Sequence, residues 1–158
     1  MTLPKHLRRR WRYLAVGIHT WPDARLSRSA FSRALAGAIT DLYGDAGSAA
    51  LDVRVYGFSF ADGYGETVVR VPRGEVERAR AAMATVTTID GASVGLRVRG
   101  VSGTVRGCEE KYLGRQPEPP RESTVVFDNA QRSATIRGTT ADVAIDDAFV
   151  GATLLDLE

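Results

Sequence analysis

A chain of 158 residues with 44% apolar side chains is long enough to bury a real core and short enough that one domain plus an appendage is the default. Its single cysteine, Cys108, excludes an internal disulfide and a Cys-rich zinc site and fits a reducing compartment. The net charge of +2 conceals an asymmetry, because residues 1–115 carry 18 basic and 11 acidic side chains (+7) while residues 116–158 carry 3 and 8 (−5).

The chain opens with a basic arm, Lys5, Arg8, Arg9, Arg10 and Arg12, ahead of the apolar run Tyr13 to Ile18. The arrangement resembles a secretory leader only superficially. The run stops at His19 and Trp21-Pro22-Asp23 without a small-residue cleavage site, and no other segment approaches the length of a membrane span, so the expected location is cytoplasmic. A run this short suits a buried first strand. Ser27 is placed to cap a first helix with Phe31, Leu35, Ala38, Ile39 and Leu42 on one stripe, and Gly44 is placed to end it.

Leu51, Val53 and Val55 alternate with polar residues, and Tyr56, Phe58 and Phe60 continue one residue out of phase, which calls for a bulge near Gly57. The turn Asp62-Gly63-Tyr64-Gly65 precedes the β-branched run Thr67 to Val71, and together these segments predict a hairpin. After Pro72, residues 75–84 predict a second helix with Val76, Ala79 and Met83 inward. Beyond the Asp90-Gly91 turn, Val94, Leu96 and Val98 alternate with Gly95, Arg97 and Arg99, predicting a fourth strand with one apolar and one Arg-bearing face.

Ser102 is placed to cap a last helix carrying Val105, Cys108 and Tyr112 on one stripe, closed by Gly114. Pro117, Pro119 and Pro120 read as a linker, and short strands at 125–127, 134–136 and 143–145 read as an acidic appendage. The order β-α-β-β-α-β is the α+β, ferredoxin-like arrangement: a four-stranded antiparallel sheet with helices on one face, here with an extra C-terminal helix. The expected domains are 1–115, the ferredoxin-like body, and 116–158, the linker and extension. The fold alone decides no function.

Gly100 to Arg106 forms a strand-to-helix junction where glycines let the backbone approach a ligand, and a helix start favours an anion such as phosphate. No Gly-Lys-Ser/Thr follows at P-loop spacing, and an ordinary capped helix start explains the same residues. Arg97, Arg99 and Arg106 flank the junction. The arm precedes the first strand, which the topology sets beside the fourth, so both clusters can converge on one phosphate-tracking surface; scattered solvated charge is the alternative. Arginine supplies 19 of the 21 basic residues. GC-rich coding would produce that bias, yet guanidinium forks also pair bidentately with phosphate and stack on bases.

The segment Arg54-Val55-Tyr56-Gly57-Phe58-Ser59-Phe60 is similar to the aromatic motif of RNA-recognition modules, but it falls on the second strand rather than the third and reads better as core aromatics at a bulge. His6 and His19 are far apart in sequence, Cys108 lies on an apolar stripe, and Asp146-Asp147 sit in an acidic tail without other clustered ligands, so no catalytic or metal constellation emerges.

Leu3 to Arg8, Arg12 to Ala15, Asp45 to Ala49 and above all Arg99-Gly100-Val101-Ser102-Gly103-Thr104-Val105-Arg106-Gly107-Cys108-Glu109-Glu110-Lys111-Tyr112-Leu113 resemble archaeal ribonuclease P protein component 2, a family shared with eukaryotic ribonuclease P and MRP. The resemblance covers residue 3 to about residue 115. It implies a subunit of the ribonucleoprotein that removes 5′ leaders from precursor tRNA, in which the RNA, with magnesium ions, is the catalyst and this chain carries neither a catalytic residue nor a cofactor. The implied partners are the ribonuclease P RNA, protein component 3 in a heterotetramer, and the other protein subunits. The implied RNA contacts are Arg97, Arg99, Ser102, Gly103, Thr104, Arg106 and Lys111, with Arg8, Arg10 and Arg12 from the arm. The extension after Arg115 departs from the family pattern, and its acidity resembles that of halophilic archaeal proteins. A different class of function, a small-molecule-sensing ferredoxin-like module, is the alternative.

Overall fold

The computed structural model describes residues 2–114, 121–137, 140–146 and 148–157. It divides into two compact units, Met1–Gly114 and Arg115–Glu158. The expected linker at Pro117, Pro119 and Pro120 and the expected turn at Gly138-Thr139 lie outside the described residues.

The first unit runs β1 (Trp11–His19), α1 (Arg28–Leu51), β2 (Arg54–Ala61), β3 (Tyr64–Pro72), α2 (Val76–Ala84), a small hairpin of β4 (Thr88–Ile89) and β5 (Ala92–Ser93), β6 (Gly95–Ser102) and α3 (Val105–Tyr112). The main sheet has the order β2-β3-β1-β6 with every neighbour antiparallel. This is the predicted ferredoxin-like topology, with β6 as the fourth strand. Leu14, Val16 and Ile18 of β1 and Val69 and Val71 of β3 meet Phe31, Leu35 and Ile39 of α1 and Ala79 and Met83 of α2. Each large side chain sealed in this core contributes about 1.5–3 kcal/mol.

Ser27 caps α1 as expected, its hydroxyl accepting from the Ala30 N–H at 3.1 Å. The predicted end at Gly44 is a kink instead: Gly44 leaves helical geometry at φ 71°, and the helix resumes to Leu51. Leu51, expected in the second strand, is therefore a fully buried helix residue, with Asp52 capping the helix in the left-handed region at φ 38°. Leu42 does not join the core stripe and is 47% exposed; Tyr43, four residues beyond Ile39, packs there instead. The expected bulge falls between Tyr56 and Phe58, and Asp62-Gly63 makes the hairpin turn, with both residues at positive φ.

A second bulge was not expected. Along β6, Ala15 pairs with Gly100 and Val16 with Val98, which leaves Arg99 as the extra residue. The face of the sheet away from α1 and α2 carries α3: Ala15, Val68 and Cys108 are buried there, with Tyr13, Tyr56, Tyr112 and Leu113 around them.

The second unit is an antiparallel meander of β7 (Arg121–Phe127), β8 (Ala130–Arg137), β9 (Thr140–Ile145) and β10 (Ala148–Thr153). The three expected strands are β7, β8 and β9; β10 was missed because Ala-Phe-Val-Gly-Ala-Thr shows no clean alternation. Its small core consists of Val125, Ala134, Ala141, Val143 and Ala152.

Candidate nucleic-acid interface

The junction from β6 to α3 is built by a cap one turn-step later than expected. Thr104, not Ser102, is the N-cap: its hydroxyl accepts from the Gly107 N–H at 3.0 Å, and Ser102 supports it by accepting from the Thr104 N–H at 3.4 Å. Among the described residues the N–H groups of Val105 and Arg106 find no acceptor, so the positive end of α3 faces solvent beside the exposed Gly103 and Thr104. The glycines divide in purpose. A side chain at Gly100 would collide with the Tyr112 ring and one at Gly107 with the Ser102 hydroxyl, whereas Gly103 borders open space. Packing accounts for the first two, and Gly103 alone leaves room for a ligand.

Tyr13 pairs with Ser102, so the basic arm enters the sheet beside this junction, as the topology implied. Arg8 donates to the Leu3 carbonyl at 2.9 Å, and Arg10 is exposed. Arg12, half-buried, donates to the Trp11 carbonyl at 3.1 Å and by strand alternation shares the face of Leu14. Arg9 is held by Asp52 and the Ala50 carbonyl, both at 3.1 Å.

The Arg-bearing face of β6 splits. Arg97 is exposed opposite Gly17, about 14 Å along the strands from the junction. Arg99 turns inward, crosses Gly17, and pairs with Glu66 at 3.2 Å, with its guanidinium 5.2 Å from the Tyr64 ring centre. Burial, together with a hydrogen bond to Glu66, pushes the Tyr64 hydroxyl well above its ordinary pKa. On α3, Arg106 is 86% exposed and pairs with Glu110 one turn on, a surface contact weak enough to be exchanged for a phosphate. Lys111 is exposed. The structure thus gathers Ser102, Gly103, Thr104 and Arg106 at the start of α3, leaves Arg97 apart, and commits Arg99 to an internal ion pair.

One cluster escaped sequence reading. Arg70 of β3 lies over the Trp11 ring at 3.7 Å and donates to the Tyr56 hydroxyl at 3.1 Å, while Tyr56 meets Tyr13 edge-on at 6.1 Å. Tyr56 therefore leaves the core that Phe58 and Phe60 join. The available signal was Arg70 interrupting a β-branched run opposite Arg54.

Cys108 is fully buried with its Sγ 3.0 Å from the Tyr13 carbonyl, and burial pushes its thiol pKa up, as befits a core thiol. Asp146 is exposed, and Asp147 lies outside the described residues. Among the described residues no three His, Cys, Asp or Glu side chains converge on a point.

The model of the Rpp14/Pop5 family, a ribonuclease P family, matches residues 12–113. The chain is 55% identical over 155 residues to "Ribonuclease P protein component 2" of Natronomonas pharaonis, covering 98% of this chain and 96% of that protein. It is 52% identical over 156 residues to the protein of the same name from Halorubrum lacusprofundi, covering 99% and 98%. Both alignments run through the acidic extension, where the family model stops. A chain in the cryo-EM structure of yeast ribonuclease MRP is 17% identical with a TM-score of 0.48, covering 63% of this chain and 79% of that one. On the family match and on these near full-length relatives, the chain belongs to the Rpp14/Pop5 family.

Proposed function

We propose that this chain is a protein subunit of ribonuclease P and contributes RNA binding to cleavage of 5′ leaders from precursor tRNA. The observation that carries the reading is family membership together with relatives of that name at more than half identity over nearly the whole chain. The ligand-sensing alternative gains nothing from these relatives.

The geometry supports a binding role. A basic arm, the exposed N-terminus of α3 and the loosely paired Arg106 lie where strands β1 and β6 meet, and an RNA backbone can meet guanidinium forks and free N–H groups there together. In this reading Ser102, Gly103, Thr104, Arg106 and Lys111 form the contact with Arg8 and Arg10 of the arm, while Arg97 and Arg12, which shares the face of Leu14, are outlying points. The chain's work is to neutralise phosphates crowded around the RNA's reaction centre. The RNA supplies catalysis and holds the magnesium ions. The complex also contains protein component 3, in a heterotetramer with this chain, and further protein subunits, and it acts in the cytoplasm.

Reconstitution tests the reading: the RNA with its full protein set should cleave precursor tRNA, and omitting this chain should depress the rate. Unchanged cleavage without it would overturn the assignment.

A further inference from the structure

On the sheet face that α3 partly covers, the strand registers line up one transverse row: Arg54 pairs with Arg70, Arg70 with Tyr13, and Tyr13 with Ser102. The row ends at the N-terminus of α3 and spans three strand spacings, about 14 Å. Val55, Val69, Val71 and Leu14 turn to the opposite side, into the core, which fixes the face of the row.

Two like charges directly opposite one another on neighbouring strands destabilise a sheet unless something neutralises them. On this same face Arg99 has Glu66 at 3.2 Å. Arg54 and Arg70 have no carboxylate partner among the described residues: Arg54 is exposed, and Arg70 donates from one nitrogen to the Tyr56 hydroxyl while its buried Nε has no partner. The Arg70 guanidinium is also fixed in place by stacking, 3.7 Å over Trp11 and 5.6 Å from the Tyr56 ring. A stacked guanidinium keeps its edge donors for an anion while losing little further rotamer freedom.

We propose that Arg54 and Arg70 extend the RNA contact across the end of the sheet, taking backbone phosphates in a track that continues through Tyr13 and Ser102 to the N-terminus of α3. This rests on the reading of the chain as a ribonuclease P subunit and adds β2 and β3 to a surface otherwise confined to β1, β6 and α3. The ligand is a polyphosphate backbone rather than a lone anion, because the donors are strung along a row instead of converging.

The test measures binding of the full chain, assembled with its protein partners, to ribonuclease P RNA across a salt series. Arg54→Gln is compared with Arg80→Gln, which alters an exposed residue of α2 on the other side of the sheet. Each lost phosphate contact should lower the slope of log affinity against log salt by about 0.7 to 1. Arg54→Gln should show that loss and Arg80→Gln should not. Arg70→Lys keeps the charge and loses the stacked fork, so it should bind more weakly than wild type while its melting stays cooperative. Equal slopes for Arg54→Gln and Arg80→Gln would overturn the track. A wild-type chain that adds nothing to RNA binding would overturn the parent reading as well.

Discussion

Glu66 gathers three donors: the Tyr64 hydroxyl at 2.8 Å, Arg99 at 3.2 Å and the Gly114 N–H at 3.0 Å. Arg99 reaches it by crossing Gly17, where even a Cβ would sit 3.0 Å from Arg99 Nε. A side chain on that residue of β1 would close the route. Both partners are well shielded, with side chains 21% and 14% exposed, so removing one leaves the other short of its hydrogen bonds in a poorly hydrated site. Glu66→Ala should cost about 2–3 kcal/mol of unfolding free energy, read from urea denaturation. Arg99→Gln should likewise lower the urea midpoint while leaving the salt slope of RNA binding unchanged. Weaker RNA binding with an intact midpoint would return Arg99 to the interface that strand alternation first suggested.

At the scale of elements, α3 depends on two residues that have no side chain. The Tyr112 ring occupies the space over Gly100, and the Ser102 hydroxyl the space beside Gly107. Gly100→Ala should lift the end of α3 from the sheet at a cost of about 1–3 kcal/mol, the usual range for overpacking. Gly103→Ala, bordering open space, should be nearly neutral. Cys108, sealed under α3 with its Sγ 3.0 Å from the Tyr13 carbonyl, reports the difference. A thiol reagent should label it slowly in wild type and Gly103→Ala and markedly faster in Gly100→Ala, and equal rates would mean that the glycine is not what seats the helix.

What the sequence disclosed at this scale was what lies within one element or one turn. The Ser27 cap, the bulge at Gly57, the Asp62-Gly63 turn and the alternation from Leu96 to Val98 all follow from local period and local backbone preference. The bulge at Arg99, the reach of Arg99 to Glu66 and the stacking of Arg70 on Trp11 depend on register between strands distant in the chain, which no periodicity encodes. The cap was missed for a smaller reason, since Ser102 and Thr104 are both good N-cap residues two positions apart.

At the scale of the whole molecule, an acidic extension follows a basic body. Residues 116–158 carry a balance of −5 against +7 on residues 1–115. The extension is shared by relatives aligned over 98% and 99% of the chain, and it has a core of its own. Like charge on RNA and extension repels at any relative placement of the two units within a Debye length, which is about 10 Å at 0.1 M salt and about 3 Å at 1 M. Deleting residues 116–158 should therefore strengthen binding to an unrelated RNA at 0.1 M salt, with the gain fading toward 1 M. At 1 M salt long-range attraction between exposed charges is largely screened. Under that screening a rigid contact such as Arg70 stacked on Trp11 keeps its value, because it acts at touching distance. If the truncated chain instead bound unrelated RNA more weakly at every salt concentration, the extension would be a contact surface in its own right rather than an electrostatic filter.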